Sequence, residues 1–159
     1  MGVFKFAIMG AGNIAGRLCE AAALLPDCEV CAVASKSLER AEKFAKANGL
    51  ERFYDDYETM LEREKPDCVY IAVTPNDHAR LSLLCIAHGV PVLCEKAMFQ
   101  NSAEAREVYR AAAEKKWAED SQKSVHQVTA QDIADVVSMT TGVPVSNLTE
   151  AETEKLLRM

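Results

Sequence analysis

Between residue 4 and about residue 116, short apolar runs alternate with longer stretches that mix apolar and charged residues. The runs FKFAIM (4–9), CEVCAVAS (28–35), RFY (52–54), CVYIAV (68–73) and VLCE (92–95) have the length and composition of β-strands. Most are apolar almost throughout, as strands buried on both faces are. The stretches between them carry helix signals. GAGNIAG opens a helix that ends near Leu25, ahead of Pro26. Ser37 caps a helix through Ala47, stopped by Asn48-Gly49. Asp56 opens a helix to about Glu64, TPNDHARLSLLCIAHG holds one ended by Gly89, and Ser102 with Glu104 and Glu107 opens one through Lys116. Strands and helices taking turns, with short links, predict βαβ units. Right-handed crossovers then give a doubly wound parallel sheet, a Rossmann-like α/β fold.

The pattern changes after Lys116. Residues 117–159 hold no buried strand and carry a charge of −4, three Lys/Arg against seven Asp/Glu, out of −6 for the chain. EDSQKSVHQ (119–127) reads as a polar linker. Thr129 with Asp132 and Thr149 with Glu152 are caps of two further helices. The expected organisation is a domain at 1–116 and a short helical tail at 117–159.

Composition narrows the function. At 49% hydrophobic and 26% charged the chain matches soluble globular averages. Acids and bases interleave without a basic stripe, so nucleic acid is not an expected partner. No apolar run reaches the length of a membrane span and no leader pattern opens the chain, so a cytoplasmic protein without a membrane partner is expected. Cys28 and Cys31 form a C-x-x-C, but both fall on one strand and no second pair follows. The cysteines read as reduced core residues and no metal site is expected.

Chemistry gathers where strands end. Gly10-Ala11-Gly12-Asn13-Ile14-Ala15 fits G-x-G-x-x-G/A after a strand and at the start of a helix, the setting in which this pattern binds a dinucleotide. Gly10 permits the tight turn, and Gly12 lets backbone amides approach a pyrophosphate at the positive helix end. A carboxylate at the tip of the second strand would hold the free ribose hydroxyl of NAD. Here Ser35 and Lys36 stand there, with Arg40 one helical turn later, a set suited to a 2′-phosphate. NADP is therefore the expected cofactor, with NAD as the alternative. Thr74, Pro75, Asn76 and His78 follow the fourth strand at the same sheet edge and are expected at the cofactor; Asn76 or Asp77 could also cap the helix there. Glu95 and Lys96 leave the fifth strand at that edge too.

Taken in order, FKFAIMGAGNIAG, AVASKSLERAEKFA, TPNDH and VPVLCEKAM resemble the N-terminal domain of the glucose–fructose oxidoreductase, inositol dehydrogenase and rhizopine catabolism (Gfo/Idh/MocA) family. The family's Glu-Lys-Pro stands here as Glu95-Lys96-Ala97. The resemblance implies that Lys96 orients or protonates the oxygen of a sugar, polyol or diol, and that Glu95 shapes the cofactor site. It also implies a large, mostly β substrate domain after the last helix, of which residues 117–159 show nothing. Those residues instead resemble the segment before the second ATPase module of Clp-type AAA+ unfoldases, in TGVPVSNL and EAETEKLLRM. No phosphate loop follows there. The chain thus reads as a join near Lys116–Trp117 of two unrelated fragments, whether a chimera, a natural fusion or an error in an assembled sequence. It is expected to bind cofactor without turnover, unless homo-oligomerisation completes the site, or to serve as an interaction protein through its tail.

Overall fold

The computed structural model describes residues 2–123. Five parallel strands and five helices alternate: β1 (Phe4–Met9), α1 (Asn13–Ala22), β2 (Cys28–Ala34), α2 (Leu38–Asn48), β3 (Phe53–Tyr54), α3 (Tyr57–Glu64), β4 (Cys68–Ile71), α4 (His78–Ala87), β5 (Val92–Cys94) and α5 (Ser102–Lys123). The sheet order is β3-β2-β1-β4-β5, so the chain winds outward from β1 in both directions. This is the doubly wound arrangement that the alternating pattern predicts. It brings the carboxyl ends of β1, β2 and β4 side by side, at the point where the winding reverses.

Each face of the sheet has its own core. Ile8, Val33, Tyr70 and Ala72 pack with residues of α1 and α2, including Ala15 and Ala45. Ala7, Met9, Ala34, Val69 and Ile71 pack on the other face with Tyr57, Met60, Leu61, Leu81 and Cys85 from α3 and α4. Alternation along β1 accounts for the split, since neighbouring side chains leave a strand on opposite sides. In β2 one residue breaks the alternation. Phe6 pairs with Val30 but Ala7 pairs with Ala32, so Cys31 is an extra residue, a β-bulge. Cys31 and Ala32 consequently pack on the same face. All six cysteines are free thiols. Burial pushes Cys31 up to about 11 and Cys85 up to about 12, the signature of inert core thiols.

The helices start and stop largely where local chemistry directs. Ser37 and Asp56 cap α2 and α3, and Gly49 ends α2 at φ 69°, a left-handed residue that glycine adopts without strain. Two expectations are corrected. The cap of α5 is Asn101, whose Oδ1 accepts the backbone N–H groups of Ala103 and Glu104, both at 3.0 Å, while Ser102 is already helical. The helix does not stop at Lys116 but continues to Lys123 through the first part of the expected linker. The expected caps at Thr129, Asp132, Thr149 and Glu152 lie outside the described residues.

Candidate functional site

The turn after β1 is shaped by two glycines with different duties. Gly10 has φ +113°, and a Cβ on it would lie 2.6 Å from Ala72 O and 2.8 Å from Ala72 C. The exits of β1 and β4 approach so closely that only a residue without a side chain fits between them. Backbone bonds from Gly10 N–H to Ala34 O and from Ala72 N–H to Met9 O, both 2.8 Å, tie the three strand ends together. Gly12 is different. Its backbone is extended (φ −102°, ψ 173°), and a Cβ would meet only Ala72 O, at 4.0 Å. The protein's own packing does not require a glycine there. Gly12 is also the N-cap of α1, and no side chain caps that end. The first amide donors of α1 are left for something outside the chain.

The glycine turn opens on a cleft of about 380 Å³. Of the residues expected at the site, Gly10, Ala11, Gly12, Ser35, Lys36, Arg40 and Thr74 line it together. A neighbouring groove of about 600 Å³ lies between α1 and α2, where Asn13, Arg17, Lys43 and again Arg40 are found. Ile14 is exposed on the first turn of α1. Pro75 and Asn76 form a single 3₁₀ turn with Asp77. The Asn76 side chain accepts a hydrogen bond from Gln100 Nε2 at 2.8 Å, tying that turn to the loop after β5.

His78 follows β4 at the expected edge of the sheet, but its ring is turned inward. It is fully buried, its Nε2 lies 3.0 Å from Val73 O, and its Nδ1 lies 2.9 Å from Ala97 O and 3.2 Å from Met98 O. Both ring nitrogens face main-chain carbonyls, to which a neutral ring donates on one side only, and neither edge is open to a ligand. It pins the exit of β4 to the loop that follows Lys96.

Glu95 sits one residue past β5, its N–H still bonded to Ile71 O at 3.0 Å. Its Oε1 accepts the Tyr70 hydroxyl at 2.5 Å, and its Oε2 accepts the Lys96 N–H at 3.1 Å. Those bonds hold the Glu95 carboxyl below the usual range. Burial, with the Glu95 bond second, pushes the Tyr70 phenol up to about 12. The pair is thus fixed as phenol and carboxylate. Lys96 is exposed, as are Ala97 and Met98. The Lys96–Ala97 peptide is cis. Among the described residues the Lys96 ammonium makes no ion pair.

One site residue was read from sequence only as a helix cap. Asp77 lines the cleft and caps nothing; its Oδ2 receives Lys36 Nζ at 2.7 Å, and Arg80 approaches Oδ1 at 3.4 Å. The Lys36 ammonium, helped by Arg80, holds the Asp77 carboxyl below the usual range despite partial burial. Tyr57 also lines the cleft, from the first turn of α3. No local signal marks either residue, because both arrive from elements distant in sequence.

The profile of an oxidoreductase family with an NAD-binding Rossmann fold (GFO_IDH_MocA) matches residues 4–118. Trans-1,2-dihydrobenzene-1,2-diol dehydrogenase of Mus musculus is 39% identical over 106 residues, 65% of this chain and 32% of that protein. The scyllo-inositol 2-dehydrogenase (NADP(+)) of Bacillus subtilis (strain 168) is 36% identical over 110 residues, 69% of this chain and 34% of its own. Among solved structures, a 3-ketoreductase from Actinomadura kijaniata in complex with NADP and TDP-benzene superposes with a TM-score of 0.65 at 29% identity, covering 72% of this chain and 35% of that one. An oxidoreductase from Agrobacterium radiobacter in complex with NAD+, L-tartaric acid and magnesium superposes at 0.67 with 25% identity, covering 71% and 33%. The chain spans about a third of the length of these relatives.

Proposed function

The chain belongs to the oxidoreductase family with an NAD-binding Rossmann fold, and we propose that residues 4–118 form the cofactor half of a dehydrogenase that prefers NADP and acts on a sugar, polyol or diol. The observation that carries this reading is the start of α1, left without a side-chain cap and opened by a glycine whose empty side-chain position meets only Ala72 O, at 4.0 Å. A pyrophosphate supplies both the missing hydrogen-bond acceptor and the negative charge that a helix start favours. The residues present fit the cofactor.

In this reading the backbone around Gly12 and Asn13 holds the pyrophosphate. Ser35, Arg40 and Lys36 face the 2′-phosphate. Thr74 walls the cleft at the exit of β4, and Pro75 and Asn76 in the turn that follows stand near the cofactor. When bound, a nicotinamide would supply hydride transfer to or from the carbon of an alcohol or carbonyl. Glu95, held by Tyr70, shapes the floor beside it. Lys96 Nζ orients the reacting oxygen, taking its proton in oxidation and giving it back in reduction. The substrate class rests on the diol and inositol dehydrogenases among the relatives.

Lys96, Ala97 and Met98 are exposed, so the opposite wall around a substrate comes from outside residues 2–123, through further chain or a second copy. Without it, orientation is lost, which costs on the order of 7–11 kcal/mol of barrier in well-placed model reactions. Residues 117–159 are proposed to be a Clp-like segment, on the strength of TGVPVSNL and EAETEKLLRM, joined to the Rossmann domain in a cytoplasmic chimera.

Fluorescence titration with NADPH and NADH at fixed ionic strength tests the proposal. Binding of both, with NADPH several-fold tighter, is expected. Equal affinities would remove the NADP preference, and failure of both to bind would remove the cofactor site.

A further inference from the structure

The strand-tip rule looks for an acid at the end of β2 and finds none. Three-dimensionally an acid is nevertheless there. Asp77, 41 residues from Lys36 in sequence, reaches the same cleft from the turn after β4 and pairs with Lys36 at 2.7 Å. Its side chain is 21% exposed against 65% for Lys36, so the carboxylate is the deeper partner. Neither of its oxygens is used to cap α4, whose start has no side-chain cap. Arg40 lines the same cleft and, among the described residues, makes no ion pair.

We infer that Asp77 is a specificity residue that restrains preference for a 2′-phosphorylated dinucleotide, because it neutralises Lys36 and leaves Arg40 as the main cation available to the phosphate. The inference rests on the cleft being the dinucleotide site. It changes what the sequence suggests about the three residues at the tip of β2. Lys36 and Arg40 facing a phosphate would make a strongly charged site, but the Asp77 carboxylate, which Arg80 also approaches at 3.4 Å, offsets the charge of Lys36. Arg40 also has the planar fork that suits phosphate oxygens, whereas Lys36 is a point charge already engaged. Asp77 leaves a ribose hydroxyl unaffected, so it narrows the gap between the two cofactors without abolishing either. It shifts the ratio in the same direction as an acid that binds the ribose hydroxyl of NAD, but by neutralising Lys36 and without gaining affinity for NADH.

The experiment compares affinities for NADPH and NADH in the native chain and in Asp77→Asn, which keeps the side-chain shape while removing its charge. The expected result is NADPH binding about two- to fivefold tighter, the range of a solvent-exposed ion pair. NADH affinity stays within twofold, and the gain shrinks as salt is raised. A ratio of the two affinities that stays the same or falls overturns the inference. Two further variants keep it testable if Asp77→Asn does not fold. In the native background Arg40→Met is expected to cost more NADPH affinity than Lys36→Met, and the reverse order overturns the inference. Both cofactors binding to the native chain while Asp77 leaves their ratio untouched defeats this inference alone. Neither cofactor binding defeats the cofactor site and this inference with it.

Discussion

Helices α2, α3 and α5 begin one way and helix α1 begins another. Ser37 Oγ accepts Arg40 N–H at 3.4 Å, Asp56 Oδ2 accepts Thr59 N–H at 2.6 Å, and Asn101 Oδ1 accepts two amides at 3.0 Å. In each case the chain completes its own helix end with a short polar side chain, as the physics of unpaired first-turn amides favours. At α1 the corresponding residue is Gly12, with no side chain to offer, and the helix end faces a cleft. Among the described helices three starts are closed by a side chain; of the two that are not, α4 follows directly on the 3₁₀ turn of Pro75–Asp77, while α1 opens on the cleft. The contrast separates residues that serve the fold from residues that serve binding, and substitutions can probe it directly.

The largest expected effect is on binding. Gly12→Val puts a branched side chain where the backbone already permits it and where the protein leaves room. Cofactor affinity is expected to fall on the order of a hundredfold or more, because the side chain displaces the acceptor from the amides. The unfolding free energy from urea titration stays within about 1 kcal/mol of native. Normal binding by this variant would place the phosphates elsewhere. Next comes Gly10→Ala, which reverses the pattern. It forces a side chain to 2.6 Å from a carbonyl oxygen at a positive φ, costing about 2–4 kcal/mol in equilibrium unfolding. An unchanged midpoint would mean that β1 and β4 separate more easily than their spacing indicates.

The caps come third. Asp56→Ala is expected to cost about 1–2 kcal/mol and Ser37→Ala about 0.5–1 kcal/mol, the order following the shorter bond at Asp56. Asp56→Ala should leave cofactor affinity unchanged, which calorimetric titration can check. The smallest effect is on pH dependence. The Thr59 amide holds the Asp56 carboxyl below its usual value. A depressed carboxyl contributes stability that is fully present above its unfolded pKa of about 4 and is lost as pH falls through the folded value. Unfolding midpoints measured from pH 6 to pH 3 should therefore fall less steeply in Asp56→Asn than in the native chain. Parallel curves would count against the cap.

The features legible in the sequence were those carried by neighbouring residues. Strands showed as apolar runs, the glycine turn as a local pattern between a strand and a helix, and Ser37 and Asp56 as polar residues just ahead of amphipathic stretches. What escaped depended on residues far apart. Lys36 meets Asp77 only because β1 lies between β2 and β4 and aligns their ends. His78 looked accessible because it follows a turn, yet the loop at Ala97 and Met98 closes over it. The bulge at Cys31 left no mark, since an extra residue in an apolar run does not interrupt the run. Asn101 and Ser102 are both good caps, and only the geometry of the first turn chooses between them. The continuation of α5 past Lys116 was hidden by polarity, because an exposed helix and a linker share the same composition.

The close approach of Gly10 to Ala72 bears on how this site can evolve. The spacing between the exits of β1 and β4 is set first by main chain against main chain, at Gly10 and Ala72, with the Val73 side chain next to them, 3.0 Å from a Cβ on Gly10. No single substitution can widen or narrow that part of the cleft without breaking it, so its dimensions are effectively frozen. Variation is free only in the chemistry of the wall, at Ser35, Lys36, Arg40 and Asp77. A lineage carrying this turn can therefore change which cofactor it prefers many times over while the slot that receives the cofactor keeps one gauge.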